Sequence, residues 1–332
     1  MENSEHVKLL GIKVTNQCNL HCYMCGQWRQ KVNTVQHIDF ERICGVIDEL
    51  AKASKYEVYL WGGEPFLYKD IIPLIKYIKS KKLKITINTN GTYLEKYAQE
   101  LVECNVNRII VSIDGNKEVH DSIRGVNGTY EKVISGVHKI NEIKNLRPFI
   151  TANTVITSRN YKCISKIVEE LYKEGFYYIE LQLPIFISNS MGERYQKVIE
   201  NLYGIKADSW KGYQGDYFNI DADSLIEQIN SMPSYVRIVP TLDNDQIFKY
   251  FNNYDESILE KDKCNVPFEQ VRIEANGDVV ICPDFPDVPI GNILVQNIGD
   301  ILHSKRKEAF CQYLKKYGKI PICDKCVMYY ES

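Results

Sequence analysis

The sequence lacks several features that mark common classes of protein. None of its apolar runs approaches the roughly 18 residues that span a bilayer, and no signal-peptide segment precedes Cys18. Its 41 lysine and arginine residues balance 43 acidic ones without any basic block, which makes nucleic acid a poor candidate for a partner. No GxGxxG segment follows a strand, so a nicotinamide-binding Rossmann domain has little support. We therefore expect a cytoplasmic protein that binds no nucleic acid and spans no membrane.

Cysteine, by contrast, is abundant, with 11 residues. In the cytosol, cysteines serve as metal ligands, catalytic groups or buried side chains more often than as disulfides. Cys18, Cys22 and Cys25 form a CxxxCxxC motif on a short polar loop. Three thiolates can ligate three irons of a [4Fe–4S] cube and leave the fourth iron open for chemistry. The alternatives are a zinc knot and thiols placed there by chance, although zinc usually takes paired CxxC arms and four ligands.

Strand-like and helix-like segments alternate between residues 7 and 183. Strands are predicted at 7–15, 56–61, 83–88, 107–113, 149–156 and 177–183. Helices are predicted at 39–53, 69–80, 94–104, 128–145 and 160–174, with Asp39 as the first N-cap and Gly175 after the last helix. Six successive β–α units imply a parallel sheet, either open and doubly wound or curled into a partial barrel. Functional residues should then gather at the C-terminal ends of the strands.

Polar and glycine-rich motifs do follow the predicted strands at that edge. The motif WGGEP at 61–65 follows the second strand, NTNG at 88–91 follows the third, and SIDG at 112–115 ends the fourth. Asn153 and Gln182 lie on the fifth and sixth strands. Taken singly, each motif is also what an ordinary turn contains. Their common position predicts one shared site.

These motifs together resemble those of the radical S-adenosylmethionine (SAM) superfamily. CxxxCxxC after the first strand and GGEP after the second are that family's two strongest marks. The resemblance implies a partial (β/α)6 barrel, similar to an incomplete TIM barrel, as a core over residues 1–183. It also implies that Cys18, Cys22 and Cys25 hold a [4Fe–4S] cluster whose open iron binds SAM. Reductive cleavage of SAM would release a 5′-deoxyadenosyl radical that takes hydrogen from a substrate.

The resemblance also assigns SAM-binding residues, namely Gly62, Gly63, Glu64, Asn90, Ser112, Asp114 and Arg124. Gly62, Gly63 and Glu64 would present backbone and carboxylate to the methionine amino group. The residues of NTNG and SIDG would lie beside the methionyl and ribose parts. Arg124 belongs to HDSIRG, which matches a stretch common in the family. Without the family, the same residues have simpler interpretations. Ser112 and Asp114 could be turn or capping residues, and Arg124 could pair with Asp121 on the surface.

A second group of cysteines lies toward the C-terminus: Cys264, Cys282, Cys323 and Cys326. Segments 269–274 and 278–282 alternate in polarity around an Asn-Gly pair and predict a hairpin, followed by helices near 297–303 and 304–316. Spacing alone does not separate zinc from an iron–sulfur cluster. The resemblance extends here to a Twitch domain, a shortened SPASM domain. It implies a second [4Fe–4S] cluster on these four cysteines within a small hairpin-plus-helix domain at 264–332.

Two parts of the sequence carry no family motif. Residues 184–263 are rich in aromatic residues and contain one predicted strand, YVRIV; they either pack between core and tail or form a lid over the substrate. The remaining cysteines are Cys44, Cys104, Cys163 and Cys311. Each is expected to be a small buried group, although one of them could donate a hydrogen atom to a substrate radical.

Three functional hypotheses follow. The first is a radical SAM oxidoreductase or epimerase acting at a carbon of a sugar, aminocyclitol or related metabolite. The second is a maturase that cross-links or epimerises a ribosomal peptide. The position of Cys18 so near Met1 leads us to expect no peptide-recognition domain before the core, which weakens this hypothesis. The third, a non-catalytic electron-transfer module, does not explain GGEP. The expected electron donor is a small flavodoxin or ferredoxin.

Overall fold

The computed structural model describes residues 7–29, 34–143, 147–253, 258 and 264–331. The strands are β1 Leu9–Thr15, β2 Glu57–Gly62, β3 Lys84–Thr89, β4 Arg108–Ser112, β5 Phe149–Val155, β6 Ile179–Gln182, β7 Val236–Val239, β8 Gln270–Ile273, β9 Asp278–Val280 and β10 Pro289–Asn292.

The helices of the barrel region are α1 Gly26–Arg29, α2 Phe40–Ala53, α3 Ile71–Ser80, α4 Leu94–Glu103, α5 Lys117–Arg124, α6 Thr129–Glu142 and α7 Ile164–Lys173. Those that follow are α8 Asn189–Tyr203, α9 Ala222–Asn230, α10 Asn244–Asn252, α11 Val266–Glu269, α12 Ile298–Leu302, α13 Lys305–Tyr317 and α14 Val327–Glu331. Within the described part of the chain, no helix is long and apolar enough to cross a membrane.

These strands form one sheet in the order β10-β9-β8-β1-β2-β3-β4-β5-β6-β7. From β8 through β7 every neighbouring pair is parallel, whereas β9 and β10 are antiparallel additions at one edge. Gln182 of β6 and Arg272 of β8 are distant in this order yet line the same cavity. The sheet therefore curls, and the predicted partial barrel is confirmed.

The two faces of the barrel strands differ in polarity. Leu10, Ile12 and Val14 of β1 are completely buried, as expected where helices cover a parallel sheet. The alternate face of the strands carries polar pairs toward the interior. Arg108 of β4 pairs with Glu180 of β6 at 3.0 Å, and Asn153 donates to Gln182 at 3.1 Å. A polar interior is what a barrel needs to enclose a polar ligand rather than only a packed core.

Local signals fixed most helix boundaries as predicted. The Asp39 side chain caps α2 by accepting from Arg42 N at 2.8 Å, and Gly175 follows α7 with a φ of 96°. Residues 144 and 145 of the predicted fourth helix lie outside the described residues. Helix α5 was not predicted, because its eight residues between two glycine turns carry too short a periodic pattern. It is capped by the Asn116 side chain.

The C-terminal segment forms the predicted hairpin, β8 and β9, and the predicted helices α12 and α13. Its first strand also pairs in parallel with β1, in the register Leu9↔Gln270 to Ile12↔Ile273. The YVRIV segment forms β7 beside β6. One sheet thus runs through all three predicted segments, 1–183, 184–263 and 264–332, whose boundaries stay predictions. This arrangement brings the second cysteine group toward the mouth of the barrel.

Candidate active site

The N-terminal cysteines face a common cavity at the C-terminal end of β1. Cys18, Cys22 and Cys25 all line this cavity, whose volume is about 420 Å³. The cysteine loop is held by backbone hydrogen bonds from His21 N to the carbonyl of Arg124 and from Tyr23 N to that of Ile123, at 3.1 and 2.8 Å. The end of α5 therefore fixes the course of the loop.

Hydrogen-bond donors surround the cysteine sulfurs. Leu20 N donates to Cys18 Sγ at 3.5 Å, and Asn90 Nδ2 approaches the same sulfur at 3.9 Å. Arg124 Nη1 donates to Cys22 Sγ at 3.6 Å. Burial raises the pKa of the Cys22 thiol to about 12, and the Arg124 charge opposes that rise. Donors aimed at sulfur stabilise thiolates bound to iron, so this donor set fits a cluster.

The glycines of GGEP bring the end of β2 against the cysteine loop. A Cβ on Gly62 would lie 2.3 Å from the carbonyl oxygen of Thr15, and one on Gly63 would lie 2.1 Å from that of Gln17. Gly63 N donates to Thr15 O at 2.9 Å. Only glycine allows this approach, and both glycines line the cavity.

Glu64 has a different environment from the one expected. Its carboxylate is completely buried and accepts hydrogen bonds from Phe66 N, Thr89 Oγ1 and Asn90 N at 3.1, 2.7 and 2.8 Å. Burial raises the pKa of Glu64 to about 7 against the effect of these donors. It is not among the cavity-lining residues that the structure describes. The carboxylate therefore joins the loop after β2 to the loop after β3, and the cavity face of GGE is the glycine backbone.

Three of the other predicted residues, Ser112, Asn90 and Arg124, line the cavity. The fourth, Asp114, does not reach the cavity. Its carboxylate is fully buried, pairs with Arg124 Nε at 2.7 Å and accepts a hydrogen bond from Val155 N at 2.9 Å.

Asp121, the alternative partner for Arg124, instead caps α6. Its carboxylate accepts hydrogen bonds from Thr129 Oγ1 at 2.6 Å and from the backbone N–H groups of Gly128 and Tyr130. Arg124 is thus buried in the site rather than paired on the surface.

The opposite wall of the cavity comes from the C-terminal segment. Pro283 and Asp284, directly after Cys282, and Val327 and Met328, directly after Cys326, all line it. Burial raises the pKa of the Cys282 thiol well above its usual range, and the charges of Cys323, Cys264 and Cys326 add to that rise. The four thiols therefore lie near one another beside the cavity.

These four thiols are the type of ligand that an iron–sulfur cluster takes, with one thiolate on each iron of a [4Fe–4S] cube. Within the described residues, no group of three His, Cys, Asp or Glu side chains is placed to hold a single metal ion.

The aromatic-rich segment also reaches the cavity. Pro184, Ile185, Tyr213 and Tyr217 line it, and the Tyr213 ring packs so closely on Gly26 that a Cβ there would lie 2.6 Å from the ring. Away from the cavity the same segment contacts the C-terminal segment; the Tyr195 hydroxyl, for example, donates a hydrogen bond to Asp287 at 2.9 Å. The segment therefore packs between the barrel and the C-terminal segment and also forms part of the cavity wall.

Sequence reasoning missed several cavity residues, among them Tyr59, Tyr213, Arg272 and Asp284. Asp284 could have been noticed two residues after Cys282, but Arg272 depends on the pairing of β8 with β1. None of the four spare cysteines is among the cavity-lining residues in the described ranges.

Two family models match this chain. That of the radical SAM superfamily covers residues 12–171, and that of the SPASM iron–sulfur cluster-binding domain covers residues 264–327. The chain belongs to the radical SAM superfamily. As a radical SAM enzyme with a SPASM domain, it uses [4Fe–4S] clusters and SAM as cofactors.

Curated proteins with similar sequences carry different activities in their names. A probable GTP 3′,8-cyclase of Methanocaldococcus jannaschii is 33% identical over 49% of this chain and 54% of its own length. An AdoMet-dependent heme synthase of Methanosarcina barkeri is 31% identical over 49% of this chain and 46% of its own length. The chain thus matches about half the length of these curated relatives.

Two solved structures share the fold. Streptococcus suis SuiB bound to the precursor peptide SuiA has a TM-score of 0.68 and 15% identity, covering 98% of this chain and 71% of that one. Native anSMEcpe with bound AdoMet has a TM-score of 0.61 and 20% identity, covering 97% of this chain and 87% of that one. At such identities the likeness describes the fold alone.

Proposed function

We propose that this radical SAM enzyme oxidises a carbon of a small polar metabolite, such as a sugar or an aminocyclitol. The observation that carries the proposal is one cavity with the CxxxCxxC cysteines on one wall and residues adjoining Cys282 and Cys326 on the other. When bound, the cluster and SAM supply a 5′-deoxyadenosyl radical that removes one hydrogen atom. Loss of a further electron and a proton completes a two-electron oxidation. A nearby second cluster is suited to accept that electron.

In this proposal each wall of the cavity has a separate role. Cys18, Cys22 and Cys25 hold the SAM-binding cluster, and Cys264, Cys282, Cys323 and Cys326 hold the second one. The backbone of Gly62 and Gly63 binds the methionine amino group, and Asn90 and Ser112 bind the remaining polar parts of SAM. Glu64 and Asp114 act indirectly: Glu64 positions the loop of Asn90, and Asp114 positions Arg124.

The interior wall supports a polar substrate. Asn88, Asn153 and Gln182 line the cavity with amide groups that hydrogen-bond hydroxyl or amine groups. A cavity of about 420 Å³ lies within the range of small-ligand sites.

Oxidation is favoured over epimerisation by the positions of the thiols. An epimerase must return a hydrogen atom to the substrate radical, and a cysteine S–H is a common donor. Cys44 and Cys163 are held elsewhere, Cys44 in α2 and Cys163 beside α7, where its thiol donates to Asn160 O at 3.4 Å. The second cluster, by contrast, adjoins the cavity.

A ribosomal peptide is the second candidate substrate. Modification of a peptide would begin with the same hydrogen-abstraction step as oxidation of a metabolite, and the two reactions would differ in the molecule that enters the cavity. The electron donor that we propose for either reaction is a small flavodoxin or ferredoxin, since one electron must be delivered per SAM cleaved.

The experiment is transfer of deuterium to 5′-deoxyadenosine. Cells carrying the gene are grown in D₂O, and their extract is divided into a pool below about 1 kDa and a peptide pool. Reduced enzyme is incubated with unlabelled SAM and each pool in H₂O buffer. The proposal predicts singly deuterated 5′-deoxyadenosine from the metabolite pool and a product lighter than its substrate by two hydrogens. Deuterated 5′-deoxyadenosine from the peptide pool alone would support the second candidate, and undeuterated nucleoside from both would contradict hydrogen abstraction.

A further inference from the structure

Helix α13 and the turn after it carry a large share of the positive charge of the chain. Residues 305–319 contain six lysine and arginine residues and a single acidic residue, in a chain whose net charge is −2. The basic residues are interrupted in sequence, but Lys305 and Lys316 lie three helical turns apart on one face, with Lys315 beside them. All three side chains are exposed. The helix therefore presents a basic strip to solvent.

The charges in the first turn of α13 do not favour the helix itself. Lys305, Arg306 and Lys307 are its first three residues, and the helix dipole disfavours cations at that end. Glu308, the acidic residue of the same turn, accepts a hydrogen bond from Gln312 Nε2 at 3.1 Å. Three cations kept at the unfavourable end of a helix indicate a role other than stabilising it.

Most of the basic strip is not held in ion pairs. Lys319, at the end of the segment, pairs with Asp324 at 2.5 Å. In the part of the chain that the structure describes, no ion pair is formed by Lys305, Lys315 or Lys316. These three ammonium groups are therefore available to an acidic partner.

The inner side of α13 lies close to the second group of cysteines. Cys264 N donates to the carbonyl of Gly318, directly after the helix, at 3.3 Å. Burial raises the pKa of Tyr313, and the charges of Tyr317 and Cys323 add to that rise, which places the Tyr313 hydroxyl near the Cys323 thiol. The helix thus has one side near the proposed second cluster and the other in solvent.

An exposed aromatic ring adjoins the lysines. Tyr317 is 55% exposed, its ring centre lies 4.6 Å from that of Tyr313, and Lys316 Nζ lies 4.9 Å from it. Phe310 and Leu314 of α13 are buried, so this helix keeps no apolar face for insertion into a lipid surface. An exposed aromatic side chain among charged ones suits a protein partner instead, since aromatic residues are enriched at protein interfaces.

We propose that α13 is the docking surface for an acidic carrier protein of the flavodoxin type, which takes single electrons from the second cluster. This inference rests on the proposed function, in which that cluster accepts the electron lost by the substrate radical. The cluster is then oxidised by one electron, and the flavin of the carrier is reduced by one electron and takes up a proton from water. Basic residues steer the acidic carrier to the helix, and Tyr317 matches the aromatic edge that a bound flavin exposes.

Direct binding gives the first test. Oxidised flavodoxin is titrated into anaerobically reconstituted holoenzyme, and calorimetry gives the Kd at low and high ionic strength. At low ionic strength the Kd should be about tenfold or more higher in Lys315→Glu, Lys316→Glu than in wild type, and salt should weaken wild-type binding. The control Lys96→Glu, Lys132→Glu makes the same change of charge at exposed positions of α4 and α6 and should keep the Kd within about twofold. Equal weakening in both double variants, or in neither, overturns the proposal.

A change in the first turn separates docking from folding. Lys305→Glu places an acidic residue where the helix dipole favours it, so the apparent Tm should stay the same or rise. The Kd of flavodoxin should nevertheless rise about threefold or more. An unchanged Kd would overturn the assignment of this helix face. A short DNA duplex and an acidic ferredoxin are the alternative ligands, and tighter binding of either one would overturn the assignment to a flavodoxin.

Electron transfer separates this inference from the proposed function. Enzyme reduced with dithionite and freed of it is mixed with oxidised flavodoxin, and the flavin absorbance is followed by stopped flow. Transfer should be about tenfold or more slower in Lys315→Glu, Lys316→Glu and in Cys323→Ala, Cys326→Ala. A wild-type rate in the cysteine variant would mean that the carrier takes its electron elsewhere, which overturns the inference. Deuterium transfer to 5′-deoxyadenosine with dithionite needs no carrier and should persist in the lysine variant, whereas its absence in wild type would contradict the proposed function.

Discussion

Asp114 and Arg124 form a buried ion pair in which Oδ2 lies 2.7 Å from Nε, while Nη1 of the same guanidinium donates to the Cys22 sulfur at 3.6 Å. The pair therefore links the end of β4 to the cysteine loop through α5. An acidic residue outside the cavity can in this way hold a cation against a cluster ligand.

Removing one partner of this pair should be more damaging than removing both. Asp114→Asn leaves Arg124 buried without its counter-charge, and we expect a loss of about 3–5 kcal/mol in the free energy of unfolding. The double variant Asp114→Asn, Arg124→Met should recover part of that loss. Denaturant unfolding of the anaerobic protein measures both. If the double variant lost at least as much unfolding free energy as Asp114→Asn, the two side chains would not interact.

Gly63→Ala should disturb the N-terminal cluster site. The new Cβ would lie 2.1 Å from the Gln17 carbonyl oxygen, so the cysteine loop must move, at a cost of about 1–3 kcal/mol. Gly45→Ala is the control, because nothing lies within 4 Å of a Cβ there and alanine should stabilise α2 by about 0.5–1 kcal/mol. Iron content should fall in the first variant and stay unchanged in the second. Full iron loading of Gly63→Ala would contradict the close packing.

The architecture was largely predictable from sequence, whereas much of the cavity was not. The alternation of apolar runs and helical periodicity is a local pattern, and it fixed β1 to β6 and most helices. The positions of Arg272 and Asp284 depend on the parallel pairing of β8 with β1, two strands that are far apart in the sequence. No local sequence pattern shows which strand β8 will pair with. The environment of Glu64 was missed for a similar reason, since its hydrogen-bond donors lie in the loop after another strand.

Iron content should report two separate cluster sites. Anaerobically reconstituted wild type should hold about eight irons per chain, and Cys323→Ala with Cys326→Ala about four. Cys44→Ala, which removes a buried thiol of α2, is the control and should keep about eight. Unchanged iron in the double variant would mean that these cysteines are not cluster ligands.

Stability should fall on acidification because of His120. Burial, together with the nearby Arg124 charge, lowers the pKa of His120 from 6.5 to about 3. The folded protein therefore favours neutral His120, and this contribution is complete above pH 6.5 and lost as the pH falls toward 3. At pH 5 the cost is about 2 kcal/mol.

Substitution of His120 checks that contribution. Asn can retain the acceptor for Asp114 N, which donates to His120 Nδ1 at 3.1 Å. The change in unfolding free energy between pH 7 and pH 5 should be smaller by about 2 kcal/mol in His120→Asn than in wild type. A His120→Asn variant with the wild-type pH dependence would rule out His120 as its cause.

The central claim is that the CxxxCxxC loop is the site of reductive SAM cleavage. Its most direct measurement is the formation of 5′-deoxyadenosine and methionine by anaerobically reconstituted protein with dithionite and SAM. Wild type and the control Cys44→Ala should form both products in equal amounts, and Cys22→Ala should form neither above background. Product formation by Cys22→Ala at the wild-type rate would contradict the account.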